Sequence, residues 1–214
     1  MKENQLNVAA TCPATRALGP GLRAVVWVQG CVFQCPGCIA PDWIPIRPAH
    51  LVSPLKLAAE LLANPAITGI TISGGEPMLQ AEALARLVFE ARSRREIDVI
   101  CYSGFHLEQL RKSPPGPGVD DLLASIDVLI DGPYINRLND DRGLRGSRNQ
   151  RIHYLSDRLL AQDLDGAPRK TEIMVQNGSA LLVGVPTQRI LDGFALAMHQ
   201  AQGLVEGGPF YERA

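Results

Sequence analysis

Net charge, aromatic side chains and long apolar runs are all scarce in this chain of 214 residues. Basic and acidic groups balance to a formal charge of −1, so no global field favours nucleic acid or an anionic membrane. No uninterrupted apolar stretch reaches the roughly 18–20 residues that span a bilayer. Met1 to Val8 lacks the apolar run of a secretion signal. Cysteine is sparse and odd in number, at five, which argues against a secreted disulfide framework. A cytoplasmic protein without membrane or nucleic-acid partners is expected, in a compartment whose reducing conditions suit free thiolates. Hydrophobic residues at 46% and charged residues at 20% exclude disorder, and the length suits one substantial domain.

Three of the five cysteines sit together. Cys31, Cys35 and Cys38 read Cys-Val-Phe-Gln-Cys-Pro-Gly-Cys. Three thiolates at this spacing can hold three corners of a [4Fe–4S] cluster, leaving one iron without a protein ligand and open to something else. Zinc is the alternative, and it usually takes four ligands, often as two Cys-x-x-Cys pairs. Cys12 and Cys101 form no second pair, although His50 could complete a Cys3His site. The triad alone admits both readings.

A second motif narrows them. Ser73-Gly74-Gly75-Glu76-Pro77 follows the apolar run Ala66 to Ile72, which reads as a buried strand. Beyond it, Met78, Leu79, Ala83, Leu84, Leu87, Val88 and Ala91 recur at helical spacing. The glycine pair therefore marks a strand-to-helix turn where backbone groups can approach a ligand closely, with Pro77 in the first helical turn.

The triad together with Gly74-Gly75-Glu76-Pro77 resembles the radical S-adenosylmethionine (SAM) superfamily. That resemblance implies a [4Fe–4S] cluster on Cys31, Cys35 and Cys38, with SAM on the open iron and its amino group supported by Gly74, Gly75 and Glu76. It further implies reductive cleavage of SAM to a 5′-deoxyadenosyl radical. Within the superfamily, Gly19-Pro20-Gly21-Leu22-Arg23, Val26 to Cys31, Asp127 to Tyr134, and Arg145-Gly146-Ser147-Arg148-Asn149-Gln150 resemble the anaerobic (class III) ribonucleotide reductase activating proteins. The match runs from about Gly19 to about Leu155. Gly37 stands where many superfamily members carry an aromatic residue, Leu144 replaces another aromatic, and everything after about Leu160 is additional. The implied activity is installation of a glycyl radical on a partner such as anaerobic ribonucleotide reductase, with a flavodoxin- or ferredoxin-like electron donor. Two rival readings remain: a radical SAM enzyme acting directly on a small molecule or peptide, and a non-catalytic iron–sulfur or zinc protein.

Strands and helices alternate along the chain. Strands are expected at Ala24–Gln29, Ala66–Ser73, Ile97–Tyr102 and Val128–Asp131, the first of these opening the fold. Helices are expected after Ser53-Pro54, from the glycine turn to about Arg95, near His106–Lys112, and at Asp120–Ala124. This order predicts an α/β fold with a mainly parallel sheet, in the form of a partial (β/α) barrel. Active-site loops of such a barrel gather at the C-terminal ends of the strands. Ser103 and Asp131 fall there and are candidate contacts to SAM.

Arg137 to Arg151 carries five arginines against Asp140 and Asp141, too narrow a patch and too poor in aromatics for a nucleic-acid reader. The resemblance instead implies that Arg145, Arg148, Asn149 and Gln150 touch SAM or dock a partner. His106 and His153 read as structural, Cys101 as a core residue and Cys12 as an inert thiol. Asn177-Gly178 between two apolar runs predicts a type I′ hairpin, followed by a helix over Ile190–Gln200. The expected organisation is a core over 1–160 with a hairpin-and-helix extension of the same domain over 161–214.

Overall fold

A computed structural model describes residues 5–176 and 179–206. Seven strands form one mixed sheet in the order β3-β1-β2-β4-β5-β6-β7. Its centre is β2 (Arg23–Val28), β4 (Gly69–Gly74), β5 (Asp98–Ser103) and β6 (Val128–Asp131), all parallel. Antiparallel pairings extend both sides: β1 (Leu6–Thr15) on β2, β3 (His50–Val52) on β1, and β7 (Arg151–Tyr154) on β6.

Side chains of the parallel strands alternate between two covered faces. Val26, Ile72, Val99 and Leu129 point to one face and pack with α1 (Pro54–Leu61), α2 (Ala81–Arg92), α3 (Leu107–Lys112) and α4 (Val119–Ser125). Val25, Trp27, Ile100 and Ile130 point to the other face, into two smaller clusters. Fully buried Arg23 lies there too, paired with Asp98 and donating to Thr71 Oγ1 at 2.7 Å and to the Ile70 carbonyl at 2.8 Å. These bonds lock the bottoms of three adjacent strands.

The helices begin where local chemistry allows. Ser53 Oγ accepts from Lys56 N at the start of α1, with Pro54 as its first residue. The helix after the glycine turn is shorter than its periodicity suggests, because Pro77–Gln80 forms a separate 3-10 turn. Three strands escaped the sequence reading. In β1 the register shifts between Val8 and Ala10 and again between Cys12 and Thr15, so the alternation breaks twice, with Pro13 at the second irregularity. The first strand is thus Leu6–Thr15, not Ala24–Gln29. β3 and β7 are only three and four residues long.

The expected C-terminal hairpin and helix are present. β8 (Thr171–Gln176) and β9 (Ser179–Gly184) pair antiparallel, and α5 spans Gln188–Glu206. The Asn177-Gly178 turn itself lies outside the described residues. Met174, Leu181 and Val183 press against Cys12, Val25 and Trp27, on the sheet face opposite the helices. Glu172 fixes the hairpin by accepting from Thr15 Oγ1 at 2.7 Å and Arg16 N at 2.9 Å. Among the described residues, no helix is long and apolar enough to cross a membrane.

Candidate functional site

A cavity of about 150 Å³ opens at the C-terminal ends of the parallel strands. Cys31, Cys35 and Cys38 line it together, on the loop that leaves β2. The loop is held at its return: Gly30 N donates to the Trp43 carbonyl and Cys31 N to that of Ile44, both at 2.9 Å. Cys38 N donates to the Cys35 carbonyl at 3.1 Å, closing the turn between the second and third thiols. Phe33 stacks edge-on against Phe105, with centroids 4.8 Å apart, and its N–H points at Cys31 Sγ at 3.4 Å. Burial pushes the Cys31 thiol up to about 11 and raises that of Cys35 as well. Both thiols therefore need a nearby cation to ionise at neutral pH.

The opposite wall is the glycine turn. A Cβ on Gly75 would lie 2.2 Å from the Gly30 carbonyl oxygen, and one on Gly74 would lie 2.4 Å from Val28 N. The pair is needed first so that β4 can close against the backbone leaving β2. Gly75 N and Glu76 N donate to the carbonyls of Val28 and Gly30 at 2.7 and 2.8 Å. With those two donors engaged, the turn is better suited to a ligand that donates hydrogen bonds than to one that accepts them.

Glu76 is buried, and its carboxylate accepts from Met78 N at 2.9 Å, Ser103 Oγ at 2.9 Å and Gly104 N at 2.7 Å. Burial outweighs these three donors and raises its pKa to about 7. Ser103 and Glu76 both line the cavity, joined to each other, so the ends of β4 and β5 are fixed as one unit.

Asp131 is placed differently. It points to the helix face of β6, as alternation from Leu129 requires, and is absent from the cavity wall. Its carboxylate accepts from Leu107 N at 2.6 Å, capping α3, and from Arg151 Nε at 3.2 Å, with His153 Nε2 2.9 Å away. Burial alone would raise its pKa; the Leu107 N–H, Arg151 and His153 together hold it below the usual value. His153 and His106 both stand beside this carboxylate, away from the cysteines.

The residues after β6 do reach the cavity: Gly132, Pro133 and Tyr134 line it with Gln150. Gln150 donates to the Gly132 carbonyl at 2.8 Å and accepts from Gly146 N at 2.7 Å, while Asn149 donates to the Pro133 carbonyl at 2.8 Å. Arg145 pairs with Asp140 and Asp165, and Arg151 with Glu108 and Asp131. Arg148 is exposed and makes no ion pair among the described residues. Tyr102 and Tyr134 were not anticipated as wall residues; the only signal for Tyr134 was its place directly after Gly132-Pro133. His50 lies in the edge strand β3, away from the cavity, and Cys12 and Cys101 are buried separately in the core. Among the described residues, no three His, Cys, Asp or Glu side chains converge to hold a single metal ion.

A family model described as a 4Fe-4S single cluster domain matches residues 17–153. The chain is 29% identical over 163 residues to the anaerobic ribonucleoside-triphosphate reductase-activating protein of Enterobacteria phage T4, covering 74% of this chain and all of that protein. It is 34% identical over 145 residues to the protein of the same name from Vibrio cholerae, covering 63% of this chain and 89% of that one. A shorter similarity, 36% over 80 residues, links it to the pyruvate formate-lyase-activating enzyme of Staphylococcus aureus, covering 35% of this chain and 32% of that enzyme.

Proposed function

This chain belongs to the 4Fe-4S single cluster domain family, among the radical SAM activating proteins, and from that premise we propose that Cys31, Cys35 and Cys38 hold a [4Fe–4S] cluster beside a SAM site at Gly74, Gly75 and Glu76. The protein is an enzyme of the glycyl-radical activating type, and the names of its relatives support a glycyl-radical partner such as anaerobic ribonucleotide reductase. One observation carries the assignment of residues: the three thiols and the glycine turn, distant in sequence, line the same cavity.

The donor set fits the group. Three thiols surround one opening, as suits a cluster in which each sulfur takes a different iron. When bound to Cys31, Cys35 and Cys38, the cluster would supply the electron for reductive cleavage of SAM. The remaining work falls to the chain. The glycine turn offers carbonyls, which match the donating amino group of SAM. Glu76 fixes that turn through three donors, two on Oε1 and one on Oε2, which leaves Oε2 a further acceptor site. Ser103 shares that hydrogen-bonded unit, and Asp131 acts one step removed by anchoring α3 and β7 behind Gly132. Phe33 and Phe105 pack edge-on beside Cys31 and brace the cysteine loop. No side-chain acid or base is required of the protein.

In this reading the parallel strands are the wall of a partial (β/α) barrel, 1–160 is the catalytic core and 161–214 an extension of the same domain. A flavodoxin- or ferredoxin-like protein delivers the electron, in the cytoplasm. Anaerobic reconstitution should give about four irons per chain, and Cys35→Ser should abolish stable assembly. With SAM, a strong reductant and the reductase, electron paramagnetic resonance should report a glycyl radical. Stoichiometric zinc with no iron would overturn the cluster. SAM cleavage without a radical on any reductase would favour a small-molecule or peptide substrate.

A further inference from the structure

A second chamber of about 150 Å³ adjoins the cysteine cavity, and the two share Cys38, Ser73, Tyr102, Tyr134 and Gln150 as walls. Its floor is apolar, formed by Leu18 and Trp27. Its outer wall is Gly184, Val185 and Pro186, where the chain leaves β9. A Cβ on Gly184 would lie 2.5 Å from the Lys170 carbonyl oxygen, and its φ of +131° suits only glycine, so the bend into the chamber depends on that residue. These three residues lie outside the 17–153 match to the family.

We infer that the C-terminal extension completes the substrate chamber, with Gly184, Val185 and Pro186 forming the wall against which the partner's glycine-bearing segment lies. The inference rests on the activase reading above and names the substrate subsite within it. Three observations support a peptide there. The wall lies outside the family match, so the cluster and SAM that the family shares do not depend on it. The chamber lies beside the cysteine cavity, behind shared walls, and a hydrogen transfer requires such neighbouring groups. A volume near 150 Å³ takes a group about the size of a benzene ring, which suits glycine with its flanking peptide units and excludes large side chains.

The test uses the reconstituted, SAM-loaded enzyme and a synthetic heptapeptide centred on the radical-bearing glycine of the cognate reductase. Peptide and SAM affinities are measured by anaerobic calorimetry, and radical yield on the intact reductase by electron paramagnetic resonance. Val185→Phe fills the chamber and should weaken peptide binding at least about tenfold, the scale of one overpacked contact. It should lower radical yield by a similar factor, well beyond any change in SAM affinity. Val185→Ala enlarges the chamber and should bind peptide within about threefold of wild type, the reverse of the order expected if Val185 served packing alone. Wild-type peptide affinity in Val185→Phe overturns the inference while leaving the activase reading intact. Equal loss of SAM and peptide affinity assigns the chamber to the adenosine end of SAM and also overturns it. A wild-type enzyme that neither binds the peptide nor forms a radical on the reductase overturns both readings together.

Discussion

Glu76 shows how one side chain joins chemistry to stability. Either carboxylate oxygen already meets N–H or O–H donors, so an amide at this position must turn its NH2 toward one of them. Glu76→Gln should therefore cost about 1–3 kcal/mol in urea unfolding. A pH signature accompanies this. The folded-state pKa near 7 lies above the ordinary 4.5, so the native protein keeps a proton that the unfolded chain releases. The stability this contributes is fully present below about 4.5 and is lost as pH rises through about 7. Wild type should weaken across that window, and Glu76→Gln should not share the decline. Equal slopes in the two proteins would show that Glu76 titrates normally. The motif containing this residue was legible in the sequence, but its reason was only half so. Gly74 and Gly75 suggested room for a ligand, and the structure adds that the backbone leaving β2 already occupies the space where their side chains would be.

The elements around the cavity are tied by contacts that periodicity cannot show. Arg169, in the extension, has a side chain only 3% exposed and donates to the carbonyls of Arg145 and Gly146 at 2.7 and 3.3 Å and to Asn139 at 2.8 Å. It clamps the arginine-rich loop to the segment that leads into β8. Arg169→Met should cost about 1–3 kcal/mol by leaving part-buried carbonyls unpaired. It should also speed hydrogen exchange at Gly143 N and Leu144 N, which bond to the same stretch at Ala167 and Leu164. Unchanged exchange there would mean that the loop holds without the clamp. The parallel strands and their helices were readable because β2, β4, β5 and β6 are built on apolar, β-branched-rich stretches bounded by turn residues. β1 was not, because its two irregularities and Pro13 spoil the alternation. Asp131 looked like a ligand contact from its place at a strand end, yet its face of β6 directs it to α3. Strand position is visible in a sequence; strand facing depends on register.

At the scale of the whole molecule, net charge is near zero, so steering toward a partner must come from local patches. Arg148 is one such charge near the cavity, exposed and without an ion pair among the described residues. Arg148→Ala should weaken association with the glycyl-radical partner several-fold at low salt, and the difference should shrink as salt is raised past about 0.15 M, where the Debye length falls to about 8 Å. A salt-independent loss would point to a packing role instead. Arg151 is a poor companion mutation: it bridges Asp131 and Glu108, so its removal would loosen the start of α3 as well. The placement of the hairpin over Trp27 also bears on the order of assembly. Every cysteine of the triad and every parallel strand precedes residue 132, whereas the outer wall at Gly184–Pro186 is synthesised some fifty residues later. Nascent chains fold from the N-terminus as they emerge. The cysteine loop thus has an interval on the ribosome with its outer side still unwalled, and the hairpin closes over it afterwards.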